Sequence, residues 1–182
     1  VQISKEVLKD LEPLGLDRDK LVEALMDTSQ PETQGCWANA TGNTDSQIVS
    51  QGAAQWNYGR GTLQPLLRAY REKFKSDPWT TIDKDMPTYG RLVFADQCLR
   101  DNLTAECIEK LSALTSNGHL ADDFKAEFDT LFEEPAMRQV QMDAFVKIVS
   151  TMKSQLLDLF PEQNVSGKQI KWAIDMTVQQ GS

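Results

Sequence analysis

Apolar residues return every three or four positions along most of this chain, the period of a helix that buries one face. Ile3, Val7, Leu8 and Leu11 form the first such stripe and predict a short helix ending before Pro13 and Gly15. Asp17 or Asp19 can cap a second helix, with Leu21, Val22, Ala24, Leu25 and Met26 on its inner side, fading at Asp27-Thr28-Ser29. From Pro31 to Gly61 the period vanishes into Gly, Asn, Thr, Ser and Gln with isolated Trp and Ile, which predicts a loop or a small β-wing. Thr62 then opens a helix striped by Leu63, Leu66, Leu67, Tyr70 and Phe74, with Pro65 in its first turn. A connector rich in Asp, Pro and Thr covers 76–88, and helices are expected over Tyr89–Asp101, Thr104–Ser116 and Leu120–Glu133. The longest periodic run lies between Pro135 and Phe160 and reads as a core helix, kinked or split; Pro161 stops it. Ser166 caps a last helix whose apolar members are Ile170, Trp172, Ala173, Ile174, Met176 and Val178. The pattern predicts a mainly α chain of about eight helices with one irregular insertion.

Composition narrows this picture. A chain of 182 residues can bury its own core as a single domain, and 40% hydrophobic with 25% charged residues is an ordinary globular mix. No apolar run approaches the roughly 18 residues of a membrane span. The N-terminus lacks the basic start of a signal peptide and an initiator methionine, and reads as that of a domain excised from a longer protein. A net charge of −8 and a pI near 4.7 disfavour nucleic acid as a partner. Three cysteines, at 36, 98 and 107, and the lone His119 do not make a common zinc site. Cys98 and Cys107 flank a turn containing DNLTAE; a bridge formed in an oxidising compartment and a pair of buried thiols both fit. His119 has no Ser or Cys motif beside it, so a catalytic triad is not expected.

The irregular stretch is where chemistry concentrates. Within QGAAQWNYGRGTLQP, Gly52, Gly59 and Gly61 supply backbone freedom among Gln55, Asn57 and Gln64, whose amides both donate and accept, while Trp56 and Tyr58 offer flat faces. Amides beside aromatic platforms suit a neutral, hydroxyl-rich ligand such as a glycan. Cutting a glycan needs a carboxyl group to protonate the glycosidic oxygen, aided by a second carboxylate or by the substrate itself. The candidates are Glu32 and Asp45 in the insertion and Glu23 and Asp27 on the helix before it.

A glutamate after an early helix, a Gly/Asn-rich wing, Gly52-Ala53-Ala54-Gln55 and then further helices resemble the lysozyme-like superfamily, which includes goose-type lysozymes and lytic transglycosylases. Gly42-Asn43-Thr44-Asp45, the run from Gln55 to Pro65, and a tail with Asp175 and Val178-Gln179-Gln180-Gly181 are similar to the lysozyme-type C-terminal domains of type VI secretion effectors. The resemblance implies one lysozyme-like catalytic domain over 1–182, with a wing and cleft segment at about 31–61. It also implies a muramidase that cuts the β-1,4 link between N-acetylmuramic acid and N-acetylglucosamine, delivered to the periplasm of a target bacterium.

In that reading Glu32 is the general acid and Asp27 the alternative acid; Glu23 or Asp45 positions water, and no cofactor or metal is needed. Gln55, Trp56, Asn57 and Tyr58 hold the sugar, joined by Asp175 and Gln179 from the last helix. Without a second carboxylate, the substrate's acetamido group or 6-hydroxyl supplies the nucleophile, so a lytic transglycosylase outcome stays open. Peptidoglycan strands are the expected partner, with a cognate immunity protein a second one. Two other functions fit the same residues: a non-catalytic module that binds cell wall or a partner protein, and a chitosanase-like hydrolase, which the acidic charge favours.

Overall fold

The computed structural model describes residues 1–28, 36–43, 47–161 and 164–180, the last four by backbone alone. Along the chain run α1 (Lys5–Leu11), a 3-10 turn (Glu12–Leu14), α2 (Arg18–Thr28), β1 (Thr41–Gly42), β2 (Val49–Gln51), β3 (Trp56–Asn57) and α3 (Leu63–Lys73). Then follow α4 (Pro78–Asp85), α5 (Gly90–Val93), α6 (Asp96–Leu99), α7 (Ala105–Ser112), β4 (Thr115–Ser116), β5 (His119–Leu120) and α8 (Asp122–Glu133). The chain ends with α9 (Pro135–Thr151), α10 (Lys153–Leu159) and α11 (Gly167–Gln180). Helix makes up 62% and strand 7%, so the mainly helical expectation holds, with small antiparallel sheets as the exceptions.

Two compact units divide the chain: Val1–Cys36 with Met142–Ser182, and Trp37–Gln141. In the first, Asp17 accepts from the amide of Lys20 at 2.9 Å and starts α2, while Gly15 at φ 74° ends the turn before it. Leu11, Leu14, Leu21, Leu25, Leu156 and Ile170 are fully buried. Gly167 brings α11 against α2, because a Cβ there would lie 2.4 Å from the carbonyl oxygen of Ala24 and 2.5 Å from Cβ of Asp27. Trp172 and Met176 depart from the expected apolar stripe of α11: both are exposed, and Trp172 meets Phe160 edge-on at 6.1 Å.

The second unit holds both sheets. β2 pairs antiparallel with β1 and β3, in the register Thr41↔Ser50 and Gln51↔Trp56. β4 and β5 form a hairpin around Asn117 and Gly118, both at positive φ, the Asn-Gly geometry that suits a tight turn. A ladder of rings on α8, Phe124, Phe128 and Phe132, spaced 5.4 and 5.2 Å apart, lines the core, where Tyr70 and Phe94 are also fully buried.

Several expected elements take a different form. The connector at 76–88 contains α4, with Pro78 in its first turn and Asp77 accepting from the amide of Thr80. The single helix expected over Tyr89–Asp101 is two one-turn helices, and Arg71 reaches the break between them through the carbonyl of Phe94 and the carboxylate of Asp96. Thr115–Ser116 leaves the helix expected there to form β4. The long run from Pro135 divides into α9 and α10 at Met152.

Cys98 and Cys107 are bridged, joining α6 to α7 across a sequence separation of nine. Closing a loop of that size restricts the unfolded chain by about 2–3 kcal/mol. The double variant Cys98→Ser/Cys107→Ser should lose that much unfolding free energy in urea titrations, and added reductant should weaken the wild type equally while leaving the variant unchanged.

Candidate functional site

The glycine- and amide-rich stretch is built around its own backbone. At its start Gly52 has φ +87°, and a Cβ there would come within 2.7 Å of Oε1 of Gln141 and 2.9 Å of the Trp56 ring. Gly52 to Gln55 make the turn between β2 and β3, closed by the amide of Gln55 donating to the carbonyl of Gly52 at 3.1 Å. Gln55 itself sits at φ 53°. Short strands leave most of the backbone here without ladder partners, so side chains must supply them.

Gln51 and Gln141, both fully buried, do so from within. Oε1 of Gln51 accepts from the amides of Asn39 at 2.8 Å and Gly52 at 2.7 Å, while its Nε2 donates to Oδ1 of Asp129 at 2.9 Å. Asp129 also accepts from the amide of Ala40 at 2.7 Å and from Nζ of Lys125 at 2.8 Å. Lys125 continues to the carbonyl of Ala40 and Oδ1 of Asn39. Gln141 accepts from the amide of Ala53 at 3.0 Å and donates to the carbonyl of Trp37 at 3.1 Å.

The residues expected to hold a sugar belong to this internal network. Nε2 of Gln55 donates to the carbonyls of Asn39 and Gly52, and its Oε1 accepts from the Thr41 hydroxyl. Asn57 accepts from the amide of Arg60 at 2.8 Å. Gln64 donates to the carbonyl of Tyr58 at 3.0 Å. Trp56, Asn57 and Tyr58 are buried, where the sequence reading has them facing a ligand. The Tyr58 hydroxyl donates to the carbonyl of Val93, and burial pushes its phenol far above the ordinary tyrosine range. The side-chain amides of this segment are spent on its own backbone.

The first unit offers carboxylates in a concave setting. Glu23 and Asp27, one turn apart on α2, share with Lys20, Asn164, Ser166 and Gly167 a pocket of about 220 Å³. Ordinary ligand clefts span roughly 300–1,000 Å³, so this one admits part of a ligand. One wall is fixed by reciprocal capping at the start of α11: Oγ of Ser166 accepts from the amide of Gln169 at 3.3 Å, and Oε1 of Gln169 accepts from the amide of Ser166 at 2.8 Å. Asp175 is exposed farther along α11. Glu32 and Asp45 lie outside the described residues, as does the side chain of Gln179.

The structure therefore brings Glu23 and Asp27 together in the first unit and Gln55 to Tyr58 together in the second. Sequence reasoning missed Gln51, Lys125, Asp129 and Gln141. Lys125 and Asp129 read as an exposed i, i+4 pair on a helix, and Gln141 is 88 positions from its partner Ala53, so no local signal marks either. Among the described residues no group of three or more His, Cys, Asp and Glu side chains could hold a metal ion. No family model, curated protein or solved structure matches the chain.

Two substitutions test these arrangements. Gln141→Leu leaves the Ala53 amide and the Trp37 carbonyl without partners and should cost about 2–3 kcal/mol in urea unfolding, with faster hydrogen exchange at Ala53. Gly167→Ala forces α11 off Ala24 and should cost about 2–3 kcal/mol in the same measurement.

Proposed function

We propose that the chain is a peptidoglycan glycosidase of lysozyme-like type, cutting the bond between N-acetylmuramic acid and N-acetylglucosamine. The observation that carries this reading is the order of elements: a helix bearing Glu23 and Asp27, then a three-stranded wing whose β2–β3 turn is the Gly-x-x-Gln at Gly52–Gln55, then α3. That order supports the resemblance already present in the sequence. Glu32 is the proposed general acid, giving its proton to the departing glycosidic oxygen as the anomeric carbon gains oxocarbenium character. Asp27, already beside Glu23 in one pocket, is the alternative acid.

Capture of the anomeric carbon completes the reaction. Water, deprotonated by Glu23 or Asp45, gives a reducing end; the sugar's own 6-hydroxyl gives a 1,6-anhydro end. Gln55 acts in this proposal as a positioning residue for the wing, since its amide is engaged by Asn39, Thr41 and Gly52. The Cys98–Cys107 bridge supports action in an oxidising space, consistent with delivery to the periplasm, where an immunity protein is the expected protein partner. No helix among the described residues is long and apolar enough to cross a membrane.

One observation favours a second reading, a module that binds wall glycan or a partner without cutting. The amides and aromatics of the wing face inward, so this segment holds its own shape whether or not an acid acts nearby.

Incubation of purified Gram-negative sacculi with the wild type, Glu32→Gln, Asp27→Asn and Glu23→Gln, followed by mass spectrometry of released fragments, tests the proposal. Disaccharide-peptides are expected from the wild type, with the rate falling about 10²–10⁴-fold in the variant that lacks the acid. No fragments from the wild type, with sacculus binding retained, would replace the glycosidase by the binding module.

A further inference from the structure

A buried aspartate beside a half-buried glutamate lies apart from every residue discussed for glycan chemistry. Asp85 closes α4 with its side chain only 4% exposed, and Glu134, the residue that follows α8, is 27% exposed. One lysine, Lys84, reaches a carboxyl oxygen of each, which sets the two acids side by side at the seam between α4 and α8. Oδ2 of Asp85 and the hydroxyl of Tyr70 on α3 are both buried without a hydrogen-bond partner. Lys84 is the only cation at the pair among the described residues: its Nζ stands 3.9 Å from Asp85 and 3.4 Å from Glu134, on a side chain that is 71% exposed.

Two charged groups on elements packed against α4 are engaged elsewhere. Arg91 of α5 pairs with Asp83 and lies over the Trp79 ring, and Glu127 of α8 accepts from the amides of Thr88 and Tyr89. Two ionised carboxylates gathered on one exposed lysine repel, and a buried anionic oxygen with no donor is costly. A proton on the pair removes both costs at once, because it turns one acceptor into the missing donor. Burial first, and then the charge of Glu134, hold Asp85 above the ordinary aspartate range against the opposing pull of Lys84.

We propose that Asp85 and Glu134 share one proton in the folded protein, which makes the seam between α4 and α8 a pH-sensitive joint, tight while the proton is held and loosened when it leaves. The direction follows from linkage. Asp85 binds its proton more tightly folded than unfolded, so its contribution to stability is fully present below about pH 4 and is lost as pH rises through the pair's own titration. Carboxylates held low, such as Asp77, Asp123 and Glu106, contribute in the opposite sense as pH falls. Comparison with a variant is therefore needed to isolate the pair.

The test joins NMR titration of the Asp85 and Glu134 side-chain carboxyl carbons in the wild type with thermal unfolding of wild type, Asp85→Asn and Lys84→Met from pH 4 to 8. The pair should keep one proton above the ordinary carboxylate range. The Tm of the wild type should fall relative to Asp85→Asn by at least about 3 °C over that interval. Lys84→Met should move this loss to higher pH. Ordinary titration of both carboxyls, or equal pH slopes in wild type and Asp85→Asn, would overturn the proposal. If Asp85→Asn does not fold, the wild-type titration and Lys84→Met decide, and an unmoved titration in Lys84→Met would count against it.

Discussion

Oδ1 of Asp129 receives two donors from the wing, the amide of Ala40 just before β1 and Nε2 of Gln51 at the end of the central strand, and much of the second unit's irregular chain depends on that junction. A segment with two- and three-residue strands cannot pair its own backbone through ladders alone. Turn bonds such as Tyr58 to Val49 and Gly59 to Gln47 pair some of the rest, and a buried amide or carbonyl left without any partner costs about 1–3 kcal/mol. Gln51, Gln55, Gln64 and Gln141 meet that requirement because a carboxamide both donates and accepts. Asp129 and Lys125 add charge-assisted bonds, which are shorter and stronger than neutral ones.

In the first unit a different constraint rules. The α2–α11 crossing is close because position 167 carries no side chain, and the same closeness sets one wall of the pocket that holds Glu23 and Asp27. Ser166 and Gln169 fix where α11 begins, so the backbone at the pocket's edge is held by a sequence-local device, while the carboxylates arrive from a helix more than a hundred residues earlier.

The helices were legible wherever period and capping agreed. Asp17 before α2 and Ser166 before α11 are local causes that a single sequence displays. The hairpin of β4 and β5 was passed over although Asn117–Gly118 is a strong turn signal, because two-residue strands leave no alternation to read. The helix over Tyr89–Asp101 is divided at a point that Arg71 of α3, more than twenty residues away, contacts. At the candidate site, the sequence showed which residue types concentrate but not which way they face. The same amides that suit hydroxyls in a ligand also suit peptide groups, and only the fold tells the two uses apart. Glu23 and Asp27, four apart on one helix, were brought together as their spacing requires.

The bridge between Cys98 and Cys107 makes the strength of this protein depend on when it is formed as well as where. A chain synthesised among reducing thiols carries two separate cysteines, and α6 and α7 are then joined only by packing and the backbone between them. Transfer to an oxidising space adds the covalent tie afterwards. The same molecule is thus easier to unfold at its point of manufacture than at a destination that oxidises it, an asymmetry set by its surroundings with no change in sequence.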